Sequence, residues 1–305
     1  MAIMALIALA SSCKTQQQPK GIILDTDWWT DVDDAMAVRL LKSLQDQGKI
    51  EAKGICLAAL DSQSVATLSG LMHYEGLDDV PLGADYEATD FPGEAVYRQT
   101  IIDDPRAKGL YTKTEDCSDC VDFYTKILKE SKDKIDIVTI GFPNCIARLL
   151  EAEPELVKSK VGHLWMMAGR YPEGREYNIC CAPRSSRAAA YVCENWPTEI
   201  TFLGWEVGDV VRAGGKLKEG DLVHNILVAH GSAQGRCAWD PLTLLLAAEG
   251  LPEAAGFTAV RGRCKVNAED GSNTFEESPD GPHSYVVMAH EPEFYASWLD
   301  SLLER

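Results

Sequence analysis

Basic residues are scarce in this chain. Lys and Arg number 29 against 47 Asp and Glu, and the formal net charge is −18 at neutral pH. Such a field repels phosphate backbones, so nucleic acid is excluded as a natural partner. Zinc spacing is also missing. Ten cysteines are present, yet Cys117-x-x-Cys120 has no second pair or histidine to complete a site, and Cys180-Cys181 are simply adjacent. The thiols read as small buried apolar groups or free thiols. There is no internal repeat, no low-complexity linker and no break in composition that marks a domain boundary. The 46% hydrophobic and 25% charged residues are ordinary for a globular protein and exclude disorder over most of the length.

Residues 1–10 are apolar but too few to cross a bilayer as a helix. Ser11-Ser12-Cys13 and a polar stretch through Lys20 follow. This order predicts a bacterial lipoprotein signal whose mature first residue, Cys13, carries lipid, with residues 14–20 as a tether. No Lys or Arg precedes the apolar run, a departure from the usual signal. The expected location is the cell envelope, lipid-anchored or periplasmic, with contact to membrane only through the anchor.

From residue 21 onward, apolar strand-like runs alternate with runs of helical period. Ile22-Ile23-Leu24 leads into Met36, Leu40, Leu41 and Leu44. Residues 54–59, 135–140, 163–167 and 200–203 are each followed by a helix-like segment. This alternation predicts one α/β domain, residues 21–305, built on an open, mostly parallel sheet flanked by helices. Residues 257–288 read as short β pieces broken by Asp270-Gly271-Ser272-Asn273 and Pro279-Asp280-Gly281-Pro282, a β-rich C-terminal elaboration, before a last helix at Pro292–Leu303.

The most informative segment joins the first strand to the first helix: Asp25-Thr26-Asp27-Trp28-Trp29-Thr30-Asp31-Val32-Asp33-Asp34. In open α/β sheets, ligands bind beyond the carboxyl ends of strands, where this loop must lie. Five aspartates packed there repel one another, and a hard cation with about six to eight oxygen ligands relieves that repulsion. Helix capping by Asp33 or Asp34 accounts for one or two of them. Magnesium phosphatases of the haloacid dehalogenase type also begin with strand-Asp-x-Asp. They place Thr or Val two residues after the second Asp, where Trp29 stands here.

The segment resembles the N-terminal signature of the inosine-uridine-preferring nucleoside hydrolase family, in its longer variant containing Asp-Val-Asp-Asp, with Trp29 in place of a glycine. Further elements resemble the family in order. Gly141-Phe142-Pro143-Asn144-Cys145-Ile146-Ala147 is similar to its Gly-Pro-Leu-Thr-Asn-Leu-Ala segment. Met166-Met167-Ala168-Gly169 with Glu176-Tyr177-Asn178 is similar to the ribose-holding elements, and Trp239-Asp240 to the late His-Asp. Taken singly, Glu176 and Asn178 also read as surface-loop polars, and Asp240 as a helix cap.

The resemblance implies calcium-dependent hydrolysis of a ribonucleoside N-glycosidic bond. Asp27, Asp34, Asp240 and the main-chain carbonyl of Asn144 would ligate Ca²⁺, with Asp27 also accepting the proton of water. Asp33, Met167, Glu176 and Asn178 would hold the ribose. Asp31 would be a loop residue and not a ligand. Trp239 stands where some members carry the histidine that protonates the base. Trp28, Trp29 and Trp239 are candidates to stack on the base, and His283 is a candidate for a relocated acid on a lid. A homo-oligomer is compatible with the resemblance. The competing readings are a ribose-binding lipoprotein of weak or lost activity, and a metal-dependent phosphatase.

Overall fold

The computed structural model describes residues 19–304. Cys13 and most of the expected leader lie outside the described residues. Among those described, no helix is long and apolar enough to cross a membrane.

Thirteen strands form in chain order: β1 (Lys20–Thr26), β2 (Ile50–Leu57), β3 (Leu82–Ala84), β4 (Ser118–Asp119), β5 (Ile135–Thr139), β6 (Val161–Met167), β7 (Glu173–Gly174), β8 (Glu199–Leu203), β9 (Arg212–Ala213), β10 (Arg236–Cys237), β11 (Phe257–Val266), β12 (Asn273–Glu277) and β13 (His283–Met288). Eleven of them make one sheet in the order β4-β3-β2-β1-β5-β6-β8-β13-β11-β12-β7, while β9 and β10 pair separately. All pairings from β4 across to β13 are parallel. The last three strands, β11, β12 and β7, are antiparallel. The C-terminal elaboration thus extends the same sheet instead of forming a separate unit.

The parallel strands are apolar runs because helices cover both of their faces. Along β1, Ile22 and Leu24 enter one hydrophobic core, and Ile23 enters the core on the opposite face. The helices Asp33–Asp46 and Trp239–Glu249 pack together on the first of these faces.

Strand order explains where a ligand can sit. From β1 the chain builds outward through β2, β3 and β4, then returns to place β5 on the other side of β1. The loops after β1 and β5 therefore leave the sheet in opposite directions and open a crevice between them. In register, Asp25 pairs with Thr139, so the two loops begin side by side. Gly141 lets them touch: a Cβ there would fall 2.2 Å from the Asp27 nitrogen.

Candidate active site

A cavity of about 310 Å³ opens at this crevice. Asp27, Asp31, Asp33 and Asp34 line it from the loop after β1 and the start of its helix. Ile140 lines it after β5 and Met167 at the end of β6. Glu176 comes from the loop after β7, Asn178 from the short helix that follows it, and Asp240 from the late helix. Residues more than 200 positions apart in sequence thus share one wall.

Neither helix is capped by the aspartates at its start. The cap residues are Val32 and Ala238, and neither makes a side-chain capping bond. The carboxylates are free to face one another across the two helix N-termini, whose positive ends favour negative charge. The Asp240 backbone N–H donates to Asp33 Oδ2 at 3.0 Å. One oxygen each from Asp33, Asp34 and Asp240 lies within 4.8 Å of the others. Asp27 lines the same cavity, and its Oδ1 accepts the Trp29 N–H at 3.2 Å.

All four carboxylates are buried. Loss of water, then repulsion from neighbouring aspartates, pushes Asp27, Asp33 and Asp240 well above the usual range. Asp34 is raised to about 7, chiefly by burial, although Thr26 Oγ1 and the Trp28 N–H donate to it. Four desolvated carboxylates whose hydrogen bonds come only from backbone N–H groups and one threonine suit a hard cation, which would restore the charge balance.

Glu176, Asn178 and Met167, the residues expected at the ribose, line the same cavity. Glu176 caps the short helix Tyr177–Cys180, accepting the Asn178 N–H at 2.7 Å and the Gly169 N–H at 3.2 Å. Burial raises its carboxyl to about 7 against these two bonds. The Asn178 Nδ2 donates to the carbonyls of Ile140 (3.1 Å) and Met167 (3.3 Å), fixing its amide at the cavity wall.

Several expectations need correction. Asn144, whose main-chain carbonyl was expected among the ligands, is not among the residues lining the cavity, and its side-chain amide donates to the Ala58 carbonyl and to Asp85 Oδ2. Ile140, four residues earlier, is the member of that segment on the wall.

Trp28 is fully buried, with its Nε1–H bonded to Thr67 Oγ1 and its ring edge-on to Tyr97. It is a core residue and cannot stack on a base. Trp29 is likewise buried away from the cavity, held by the Pro92 carbonyl at 2.8 Å. The left-handed backbone of this loop falls at Trp28 (φ 47°) and not at Trp29, where the family glycine aligns. Only Trp239 lines the cavity, its Nε1–H donating to the Trp205 carbonyl at 2.7 Å.

His283 opens a strand and is no part of a lid. It is buried beside Phe202, its Nδ1 accepts the Cys264 N–H at 3.0 Å, and burial lowers its pKa to about 4. Among the described residues, no histidine lines the cavity.

Five cavity residues carried no role from the sequence: Thr30, Ile140, Tyr177, Trp205 and Arg236. Arg236 holds Asp31 with two bonds, Nε to Oδ1 at 2.8 Å and Nη2 to Oδ2 at 2.6 Å. Asp31 is thus an anchor and more than a loop residue. Asp25, in contrast, lies inside the fold, accepting from the Tyr124 hydroxyl at 2.6 Å and from Thr139 Oγ1 at 3.4 Å. Cys56 and Cys145 lie near it with sulfurs 3.8 Å apart, and burial pushes both thiols up, which keeps them protonated and inert.

Comparison with known proteins gives the geometry a context. No curated protein sequence matches the chain. Among solved structures, a plant nucleoside hydrolase, PpNRh1, superposes with a TM-score of 0.74 at 18% identity, covering 93% of this chain and 99% of that one. The inosine-uridine preferring nucleoside hydrolase of Bacillus anthracis gives 0.71 at 16% identity over 93% and 99%. The type III effector protein XopQ, solved in complex with adenosine diphosphate ribose, gives 0.67 at 19% identity over 94% and 93%. At these identities the structures show a shared fold. The sequence model of the inosine-uridine preferring nucleoside hydrolases matches residues 22–281, which is most of the chain and includes every residue assigned to the cavity wall. The chain belongs to the inosine-uridine preferring nucleoside hydrolase family.

Proposed function

We propose that this protein hydrolyses the N-glycosidic bond of ribonucleosides, releasing ribose and free base, with Ca²⁺ as its cofactor. The observation that carries the reading is the set of buried carboxylates at the crevice between β1 and β5, which line one cavity together with Trp205 and Trp239.

Breaking the ribosyl C–N bond builds positive charge on the sugar, so carboxylates around the ribose favour the transition state over the ground state. Asp33, expected at the ribose, is the carboxylate that groups with Asp34 and Asp240, so these three would hold the cation, with Asp27, expected among the ligands, beside them. When bound, Ca²⁺ supplies charge neutralisation and a fixed place for water and the ribose diol. Asp27 accepts the proton of the attacking water. Its raised pKa in the metal-free protein requires a nearby positive charge before it can act as a base at neutral pH. Glu176, Asn178 and Met167 hold the sugar. The backbone bonds of Glu176 and Asn178 lock their orientation before substrate arrives.

The absence of histidine from the cavity lining favours one second reading, a protein that binds ribose without turnover. A panel of purine and pyrimidine nucleosides, assayed for ribose release with Ca²⁺ and with chelator, separates the two. Release that chelator abolishes supports hydrolysis. Calorimetric binding of ribose with no release from any nucleoside supports the second reading. A lipid anchor at Cys13 and an envelope location belong to the same proposal, and metabolic labelling with a radioactive fatty acid, lost in Cys13→Ser, tests them.

A further inference from the structure

We propose that Arg236, held in place by Asp31, is the group that stabilises the departing base. This inference rests on the hydrolase reading above and adds the residue that reading lacks.

The argument starts from charge. Apart from Arg236, the titratable side chains on the cavity wall are carboxyls and the Tyr177 phenol. Carboxylates suit the sugar, which becomes positive. They oppose the base, which takes the electron pair of the broken C1′–N bond and becomes negative. A base leaving into a wholly anionic cavity would meet repulsion, so a cation on that wall has a large effect on the barrier. Among the described residues, Arg236 is the single cation lining the cavity.

Its geometry suits the task. The guanidinium lies over the Trp239 ring, 5.3 Å from its centroid, and Trp239 and Trp205 line the same cavity as flat surfaces against which a base can pack. Asp31 engages Nε and Nη2, and Nη1 makes no hydrogen bond among the described residues. The side chain lines the cavity and is about a quarter exposed, which leaves it within reach of a ligand there. The two-point contact with Asp31 fixes the plane of the guanidinium, which a lysine could not reproduce.

The step balances without an acid from the protein. Water attacks C1′ and gives its proton to Asp27, and the C1′–N bond breaks. The electron pair stays on the base nitrogen beside Arg236, and the base takes a proton from solvent after departure. Arg236 does not lose its own proton, because a guanidinium stays charged at any working pH. Asp31 is a positioning residue in this scheme.

The test uses two classes of N-riboside with the full-length calcium-loaded protein. Inosine and uridine lose an anionic base. Nicotinamide riboside carries its positive charge before cleavage and loses a neutral base, so Arg236 gives it no help. Arg236→Gln should lower kcat/KM for inosine or uridine by about 100-fold or more, the usual scale for removing one donor from a developing anion. Nicotinamide riboside cleavage should be unchanged or faster. Arg236→Lys should recover part of the inosine rate, and Asp31→Asn should fall between wild type and Arg236→Gln. Ribose affinity, measured by calorimetry, should stay constant across the set and shows that each variant is folded.

An equal loss on both substrate classes would reduce Arg236 to a structural role and overturn the proposal. So would a wild-type enzyme that cleaves nicotinamide riboside alone. A wild-type protein that cleaves no N-riboside overturns the hydrolase reading itself, a result distinct from either of these.

Discussion

Replacing Glu176 by Gln should flatten the pH dependence of folding stability, by an amount the structure sets. The Glu176 carboxyl is buried, accepts two backbone N–H bonds, and is raised from its usual 4.5 to about 7 because burial outweighs those bonds. A group whose pKa is raised on folding adds stability that is complete below its unfolded pKa and disappears as pH climbs through the folded value. The window is therefore about pH 4.5 to 7, and stability must fall across it. At about 1.4 kcal/mol for each tenfold change in protonation, the displacement amounts to about 3 kcal/mol. Urea unfolding in chelator at pH 4.5, 6 and 8 measures it. The neighbouring aspartates contribute a fall of the same sign, so the informative quantity is the difference between wild type and Glu176→Gln. Wild type should lose about 3 kcal/mol more than the variant between pH 4.5 and 8. Parallel curves for the two proteins would show that Glu176 is solvated or differently bonded, and the reasoning would fail.

Asp27→Asn should lower ribose release by about 1000-fold while thermal stability in chelator is unchanged or higher, since it removes a proton acceptor and one member of a repelling group; a retained rate would place the base elsewhere. Asp25→Asn should act the other way, losing stability through the Tyr124 and Thr139 contacts before it loses turnover, read by parallel unfolding and rate measurements. Saturating Ca²⁺ should raise the melting temperature by roughly 5 to 10 °C at a hundredfold excess over Kd, and Asp240→Asn should remove most of that rise. Trp28→Gly should relieve a left-handed backbone, worth about 1 kcal/mol, yet destabilise by about 2 to 4 kcal/mol net, because the indole fills the core; a more stable variant would show that strain dominates at that position.

The parallel half of the sheet was legible in the sequence because strands buried on both faces are short apolar runs, and Ile22-Ile23-Leu24 or Ile137-Val138 need no alternation to be read. The helix at Pro292–Leu303 was legible for the same kind of reason, having proline at its first turn and apolar residues at helical spacing. The carboxylate group could be read from its density in one loop, but its partner Asp240 came only through family resemblance, since nothing local in that segment distinguishes a ligand from a cap. The tryptophans were not legible. Trp28, Trp29 and Trp239 share one chemistry, and what separates them is whether the loop packs against Thr67 and Tyr97, against Pro92, or against the cavity. Those are long-range contacts that leave no pattern in sequence. His283 was misjudged because flanking turn residues mask a strand that begins immediately after Pro282.

The hydrogen bond from the Asp240 backbone to Asp33 closes a loop of 207 residues. During synthesis, the first strand and helix leave the ribosome long before the helix that carries Asp240 exists. The early aspartates must spend that interval as an incomplete, mutually repelling group, and docking of the late helix brings a further negative charge toward them. On the function proposed above, a cation held by the completed group would offset that repulsion, and its binding would be tied to the docking of the late helix. A chain cut short before residue 240 would lack Asp240 and with it one member of the carboxylate group on the cavity wall.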